Sequence, residues 1–371
     1  MSIIDVVAGA AFGSEGKGHI TAQLVKRRLR QEQRTVVNVR VAGPNAGHTV
    51  IDDRNQAFAL RCVPVGAAIA AEVWLYIAPG SEVELEVLAK EVHELREAGH
   101  AVGRLYVSGE ATLLEDHHKQ EETDAALTQR IGSTGKGIGA ARVDRLMRSA
   151  KRICDDPAAV DFIEALGATV VDEAEANWLV SWAETRNAAI IIEGTQGYGL
   201  GLHAGMYPTT TSSDCRGIDF LAMAGIMPWH RGVTETNIVL VARVFPIRVA
   251  GNSGPLKNER TWDELGLPEE RTTVTQKIRR VGEWDGELVA RAVKANGGGQ
   301  RGMSMVNVGI ALTMVDQKFP FMKDRTSIRL MLKEAEQSEL NAMTNFLKQV
   351  EFESGAEVMA MTTGPNHIIW R

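Results

Sequence analysis

The sequence predicts an α/β fold built on a large, mostly parallel central sheet flanked by helices. Short apolar runs without polar alternation recur along the chain, as in strands covered on both faces. Amphipathic segments of helical period lie between them, so that strand, loop and helix follow one another. In order, the runs are IIDVVAGA from Ile3, TVVNVRV from Thr35, VWLYI from Val73, AIIIEG from Ala189 and NIVLVARVF from Asn237. Ile20, Leu24, Val25 and Leu29 share one helical face, and Leu85, Leu88, Val92 and Leu95 share another. The basic run Lys26-Arg27-Arg28-Leu29-Arg30 closes the first of these helices. It reads either as a phosphate patch or, more plainly, as cations set against the helix C-terminal dipole. Residues of about 81–188 are richer in helical patterning and charge, and are expected to form a helix-rich excursion on the sheet. No Pro- or Ser-rich linker, repeat or low-complexity tract divides the chain, so 1–371 is expected to be a single domain.

Composition narrows the function. A chain of 371 residues, 44% hydrophobic and 24% charged, has the material for a large core. Its net charge of −6 argues against a generic nucleic-acid binder, so any anion must meet a local pocket. Cys62, Cys154 and Cys215 are scattered without CxxC spacing, which suggests neither a disulfide framework nor a zinc site. No basic leader precedes an apolar stretch, and no window approaches ~20 apolar residues, so export and a membrane partner are not expected. The cytoplasm is the default location, the host's if the chain is phage-encoded.

Five glycine-rich polar loops carry the chemistry. In VVAGAAFGSEGKG from Val6, a buried strand feeds a glycine-rich turn and then a helix. This is how chains aim backbone N–H groups and a lysine at phosphate, although a plain strand-to-helix turn is the alternative. It is not a standard P-loop, because Ala11 stands at the first glycine and Gly18 where the magnesium-binding hydroxyl belongs. AGPNAGHTV from Ala42 offers Asn45, Gly47 and His48, and a lone histidine here would usually be structural. IGSTGKGIGA from Ile131 supplies hydroxyls, amides and Lys136; the loop from Glu193 adds Gln196 and a run of threonines and serines. TTVTQKIRRVG from Thr272 is cationic and hydroxyl-rich, as a carboxylate or phosphate clamp should be. Together these exceed what turn-making needs and imply at least two anionic ligands, hence a transfer or ligation reaction.

The stretches GSEGKG, GPNAGHT, IGSTGKGIG, EGTQGYGL with GMYPTTTSSD, TQKIRRVG, LTMVD and TTGPN occur in this order from Gly13 to Asn366. The ordered set resembles the adenylosuccinate synthetase family over nearly the whole chain. The resemblance implies that family's fold, P-loop-NTPase-like in idea but not in loop sequence. It also implies a homodimeric carbon–nitrogen ligase that phosphorylates the purine 6-oxygen and then displaces the phosphate with the amino group of L-aspartate. Carried over by motif, Lys17, His48 and the residue at position 14, here Ser14, form the catalytic set, with His48 as general acid. The donor would be held by Glu15, Gly16, Lys17, Gly18, Gly47, His48, Thr49, Arg279, Asp316, Gly364 and Pro365. The acceptor would meet Ser14, Asn45, Ser133, Thr134, Gln196, Thr211 and Lys277, with Arg148 reaching the neighbouring subunit's site. Thr273, Val274, Thr275 and Arg279 would receive aspartate. Mg2+ would take the carbonyl of Gly47.

Departures from the family pattern refine the expectation. An aspartate that serves as N1 base and magnesium ligand is replaced by Ser14, whose neutral hydroxyl suits neither role. Met314 stands where a lysine, two residues before Asp316, helps read guanine in the donor, and Lys277 replaces an arginine. This combination resembles the family's bacteriophage branch, 2-aminoadenylosuccinate synthetase, which implies dGMP as acceptor and ATP or dATP as donor. A small serine leaves room for the 2-amino group beside N1. The alternatives are an ordinary enzyme using IMP with GTP or ATP, and a nucleotide-binding protein without activity.

Overall fold

In a computed structural model describing residues 2–41, 43–229, 232–272, 276–299, 306–327 and 335–371, each apolar run named above contains a strand. The sheet strands are β1 (Ser2–Gly9), β2 (Thr35–Arg40), β3 (Trp74–Ile77), β4 (Leu105–Ser108), β5 (Thr169–Val171), β6 (Ala188–Glu193), β7 (Val233–Arg243), β8 (Asn307–Thr313), β9 (Val358–Gly364) and β10 (His367–Trp370). They form a ten-stranded sheet in the order β10-β9-β8-β7-β1-β6-β2-β3-β4-β5. The pairs β1/β6, β6/β2, β2/β3, β3/β4, β4/β5 and β8/β9 are parallel, and β9/β10 is an antiparallel hairpin at one edge. Parallel neighbours need crossovers, and helices supply them.

The chain divides into two compact units, the first made of Met1–Val7, Lys17–Thr195 and Gly217–Asn237. Its helices are α1 (Lys17–Lys26), α2 (Leu85–Glu97), α3 (Asp116–Asp124), α4 (Leu127–Ile131), α5 (Ile138–Met147), α6 (Pro157–Ala165), α7 (Glu173–Thr185) and α8 (Gly217–Ala224). Ile4, Val6, Val7, Val36, Val39, Ile191 and Ile192 are fully buried, which is why their strands read as continuous apolar runs. The helix-rich region about 81–188 also supplies β4 and β5, strands too short to stand out in the sequence. Ile20, Leu24 and Val25 of α1 are buried, as are Leu88, Val92 and Leu95 of α2.

The basic run ends α1 and fills the turn beyond it, with Lys26, Arg28 and Arg30 in last turns as the dipole reading expects, and its cations also hold carboxylates. Beyond Lys26 the chain makes a π-helical turn, Arg27–Gln31. Within it Arg28 donates to the buried carboxylate of Asp5 at 2.8 and 2.9 Å, while Lys26 and Arg30 pair with Asp53. An anion in the middle of β1 requires such a partner, because an isolated buried carboxylate is too costly to keep ionised.

The second unit comprises Ala8–Gly16, Gln196–Arg216 and Ile238–Arg371. Here α9 (Gly286–Ala295), α10 (Val315–Lys318) and α11 (Gln337–Ser354) accompany β8, β9 and β10. Asp285 caps α9 by accepting the Leu288 N–H at 3.1 Å. Phe346 of α11 packs on Phe319 and Trp284, closing the apolar layer. Among the described residues no helix is long and apolar enough to cross a membrane.

Candidate active site

In parallel sheets the strand C-termini release their loops on one edge, where ligands bind. In the first unit, register sets Val7 of β1 level with Glu193 of β6, and Glu193 level with Arg40 of β2. Arg40 and Glu193 are both fully buried, and the hairpin strand His48–Ile51 brings His48 to them. His48 Nδ1 lies 2.9 Å from Glu193 Oε2 and 2.6 Å from Arg40 Nη1. Arg40 also donates to Glu193 Oε2 at 3.2 Å and to the Ala46 carbonyl at 2.6 Å, while Glu193 Oε1 accepts the Val65 N–H at 2.7 Å. Burial, then the Arg40 charge, pushes the imidazole down to about 4, with Glu193 opposing and Lys17 adding to the fall. Burial raises the Glu193 carboxyl, but the His48 hydrogen bond and Arg40 outweigh it and hold it below its ordinary value. A neutral ring beside an ionised carboxylate is consistent with Nδ1–H donating to Glu193. Arg40 Nη1 donates to Glu193 Oε2 and Nη2 to the Ala46 carbonyl, so the guanidinium and the imidazole share one carboxylate oxygen.

Lys17, the first residue of α1, is buried, and its charge is felt by His48. Gly18 fits because a Cβ there would come within 2.7 Å of His48 Cβ and 2.8 Å of the Thr49 carbonyl. Asn45 is half-buried, whereas Gly47 and Thr49 are exposed. In the Ser133 loop, Ser133 Oγ accepts the Gly135 N–H at 3.2 Å and donates to Glu122 at 3.3 Å, leaving Thr134 exposed. Arg148 ends α5 at φ 63° with its guanidinium on the Leu146 carbonyl, and Val143, Leu146 and Met147 beside it are exposed.

In the second unit, Gly13, Ser14 and Gly16 all have positive φ, 80°, 54° and 89°. Glycine at 13 and 16 meets these left-handed conformations without strain. Glu15 is buried, with Oε1 accepting the Ala11 N–H at 2.7 Å and its carbonyl accepting the Thr313 hydroxyl at 2.8 Å. Ser14 is exposed, and its Oγ accepts a hydrogen bond from Arg279 Nη1 at 3.0 Å. Arg243 approaches the Ser14 carbonyl at 3.4 Å and is itself held by Glu270 at 2.6 and 3.1 Å. Arg279 has no carboxylate at ion-pair distance among the described residues. Burial and the neighbouring Arg243 lower its pKa against the pull of Glu270.

Gln196, at φ 57°, opens a loop folded onto Ala11 and Phe12, with the Gly199 N–H on the Ala11 carbonyl at 2.8 Å. Thr211 is tied to this loop through the Leu200 carbonyl at 2.8 Å. Lys277 is exposed and closes a turn with Thr272. Thr273, Val274 and Thr275 lie outside the described residues. Asp316 on α10 is raised by burial, then by Asp324. Asp324 lies 3.1 Å from His367 Nδ1, and its carboxylate leaves no room for a Cβ at Gly364; Pro365 is exposed. Met314, at φ 59°, precedes α10.

Sequence reasoning assigned no role to Arg40, Glu193, Arg243, Glu270, Asp324 or His367. A charge at the end of an otherwise apolar strand, as in TVVNVR and AAIIIE, was the available signal for the first two. Magnesium is compatible with the exposed Gly47 carbonyl and substrate phosphates as hard oxygen ligands. Ser14 is a poor ligand, since its hydroxyl is neutral and the Arg279 guanidinium beside it would repel a cation. Among the described residues only His117, His118 and Asp144 cluster with metal-ligand spacing. There the Glu115 N–H donates to His118 Nδ1, which puts the ring proton on Nε2, the nitrogen a metal would need.

The adenylosuccinate synthetase family model matches residues 6–177 and 157–317. An adenylosuccinate synthetase of Methanocaldococcus jannaschii is 33% identical over 364 residues, covering 97% of this chain and 94% of the relative. One from Pyrococcus horikoshii is 32% identical over 372 residues, covering 99% and 98%. Among solved structures, the cyanophage S-2L succinoaminodeoxyadenylate synthetase bound to dGMP and dATP is similar at TM-score 0.78 and 24% identity, over 100% of this chain and 95% of that one. The fully ligated Plasmodium falciparum adenylosuccinate synthetase is similar at TM-score 0.75 and 19% identity, over 99% of each.

Proposed function

The chain belongs to the adenylosuccinate synthetase family, ligases that join aspartate to a purine, and from that premise we propose that its acceptor is dGMP and its donor ATP or dATP. The product is then 2-amino-2'-deoxyadenylosuccinate, formed through a 6-phosphoryl intermediate on the route to diaminopurine DNA. The observation that carries this reading is Ser14, a small neutral side chain under the Arg279 guanidinium where the family resemblance calls for an aspartate. The guanine 2-amino group adjoins N1. A serine oxygen can accept a hydrogen bond from it, and no second anion crowds it. The fold likeness to a cyanophage enzyme bound to dGMP and dATP supports the same choice.

In this reading the Gly13–Gly18 backbone and Lys17 hold the transferring phosphates, and bound magnesium neutralises part of their charge. His48, neutral when no substrate phosphate is near, takes up a solvent proton once the donor phosphates are bound and gives it to the phosphate oxygen as the C6–O bond breaks. Asn45, Ser133, Thr134, Gln196, Thr211 and Lys277 hold the acceptor, and Arg279 pairs with the aspartate carboxylate. Asp316, Gly364 and Pro365 receive the donor base; without a lysine at Met314, an adenine amino group suits Asp316 as well as guanine does. The exposed apolar end of α5 beside Arg148 supports a homodimer in which Arg148 serves the partner's acceptor site.

A second reading, IMP as acceptor with GTP or ATP, is favoured by the names of the curated relatives. Incubating the protein with Mg2+, L-aspartate, each of ATP, dATP and GTP, and either dGMP or IMP separates the two by the new chromophore. Turnover of dGMP with adenine nucleotides is expected. A higher kcat/KM for IMP with GTP would overturn the proposal, and no turnover on any combination would leave a nucleotide-binding protein.

A further inference from the structure

We propose that Glu193 is a positioning residue for the reaction: it clamps the His48 ring through Nδ1 and so fixes its plane, leaving Nε2, 3.4 Å from Arg40 Nη1, as the nitrogen that carries the transferred proton. The inference rests on the acid role given to His48 above and adds the device that aims it. Glu193 ends a central strand, has no exposed surface, and spends each carboxylate oxygen on a defined donor. Oε1 takes the Val65 N–H at 2.7 Å, and Oε2 takes His48 Nδ1 at 2.9 Å and Arg40 Nη1 at 3.2 Å. The backbone bond and the arginine leave the carboxylate little freedom to turn. An imidazole held at one nitrogen by such an anchor has its tautomer and ring plane set together, as outer partners do for ligating histidines.

Arg40 extends the clamp. Its Nη2 holds the Ala46 carbonyl at 2.6 Å and the Arg61 carbonyl at 3.2 Å, so one guanidinium fixes Glu193 and both strands' approaches to the His48 hairpin. On the opposite side, Gly18 brings α1 against His48 Cβ with no space for a methyl group. The ring is therefore bounded by β2, β6 and α1, whose charged groups facing it are Arg40, Glu193 and Lys17. A carboxylate needed only to neutralise Arg40 would not have to contact the imidazole.

The test is a mutant cycle read as kcat and KM separately. Glu193→Gln can still accept the Val65 N–H but loses the anionic anchor; kcat should fall about tenfold to a hundredfold, with KM for dGMP and ATP within about twofold. In a His48→Ala background the same substitution should cost less than about twofold more, because its effect passes through the ring. Glu193→Asp keeps the charge at a shorter reach and should recover part of kcat. It also carries the cycle if the glutamine variant does not fold, as judged by its melting transition and dGMP binding. A full additional loss in the His48→Ala background, or a rise in KM with kcat unchanged, would overturn the proposal. His48→Ala at the wild-type rate would instead refute the role given to His48, a separate failure.

Discussion

Replacing Ser14 discriminates between the roles open to it. The residue is exposed, sits at φ 54°, and accepts one hydrogen bond from a half-buried guanidinium at 3.0 Å. Ser14→Ala keeps the Cβ and hence the left-handed backbone cost, and loses only that bond. The expected loss is about 0.5–1.5 kcal/mol, or about three- to tenfold in kcat/KM for dGMP. Ser14→Gly loses the same bond but relieves the backbone, and should be more stable than the alanine variant by about 1 kcal/mol. Ser14→Asp suits the left-handed backbone, where aspartate is enriched. Its carboxylate would pair with Arg279, adding about 0.2–1 kcal/mol of stability at this exposed position. The same pairing withdraws Arg279 from aspartate and sets an anion beside N1, so dGMP turnover should drop by at least about tenfold, which is about 1.4 kcal/mol. Some IMP activity should return with the base. The assay is kcat/KM for dGMP and IMP across the series. Full dGMP activity in the aspartate variant would refute the size-and-charge reasoning, and a hundredfold loss in the alanine variant would make Ser14 itself the proton acceptor.

Other perturbations test other parts of the molecule. Arg148→Ala should raise KM for dGMP by about ten- to a hundredfold, the worth of a hydrogen bond to a charged group, and sedimentation should report a dimer. A fully active monomer at assay concentration would reject the shared site. Arg28→Met leaves Asp5 buried with Asn237 as a remaining partner, and should cost about 3–5 kcal/mol in urea unfolding; a loss under about 1 kcal/mol would contradict the buried-pair assignment. Burial pushes the Tyr76 phenol up to about 12 against a Ser108 hydrogen bond, from an ordinary value of 10.0. Because the folded value is the higher, this contribution is intact below the ordinary value and lost as pH rises through the folded one, about 3 kcal/mol in all. Absorbance titration should find one of the 4 tyrosines ionising late, and four ordinary titrations in folded protein would refute it.

The strands from Ile3, Thr35, Val73, Ala189 and Asn237 were legible because burial on both faces selects unbroken apolar runs, a property of composition alone. β4, β5, β8, β9 and β10 were not: β4, β5 and β10 are runs of three or four residues that look like any short apolar stretch, and β8 and β9 carry glycines and threonines among their apolar residues. The glycine-rich loops and their family were likewise written in order along the chain, and with them Lys17, His48, Arg279 and the substitution at Ser14. What these residues touch was not. Ser14 meets Arg279 across 265 positions, and His48 meets Glu193 across 145. Lys26, Arg28 and Arg30, at helix ends as the local pattern predicts, also meet distant carboxylates that it does not reveal. Local pattern determines which segments become strands, helices and turns, because propensity and burial act over a few residues. Which side chain faces which is decided by strand order and register, and a parallel neighbour such as β6 arrives at β2 only after about 150 residues of intervening chain, and at β1 after about 180.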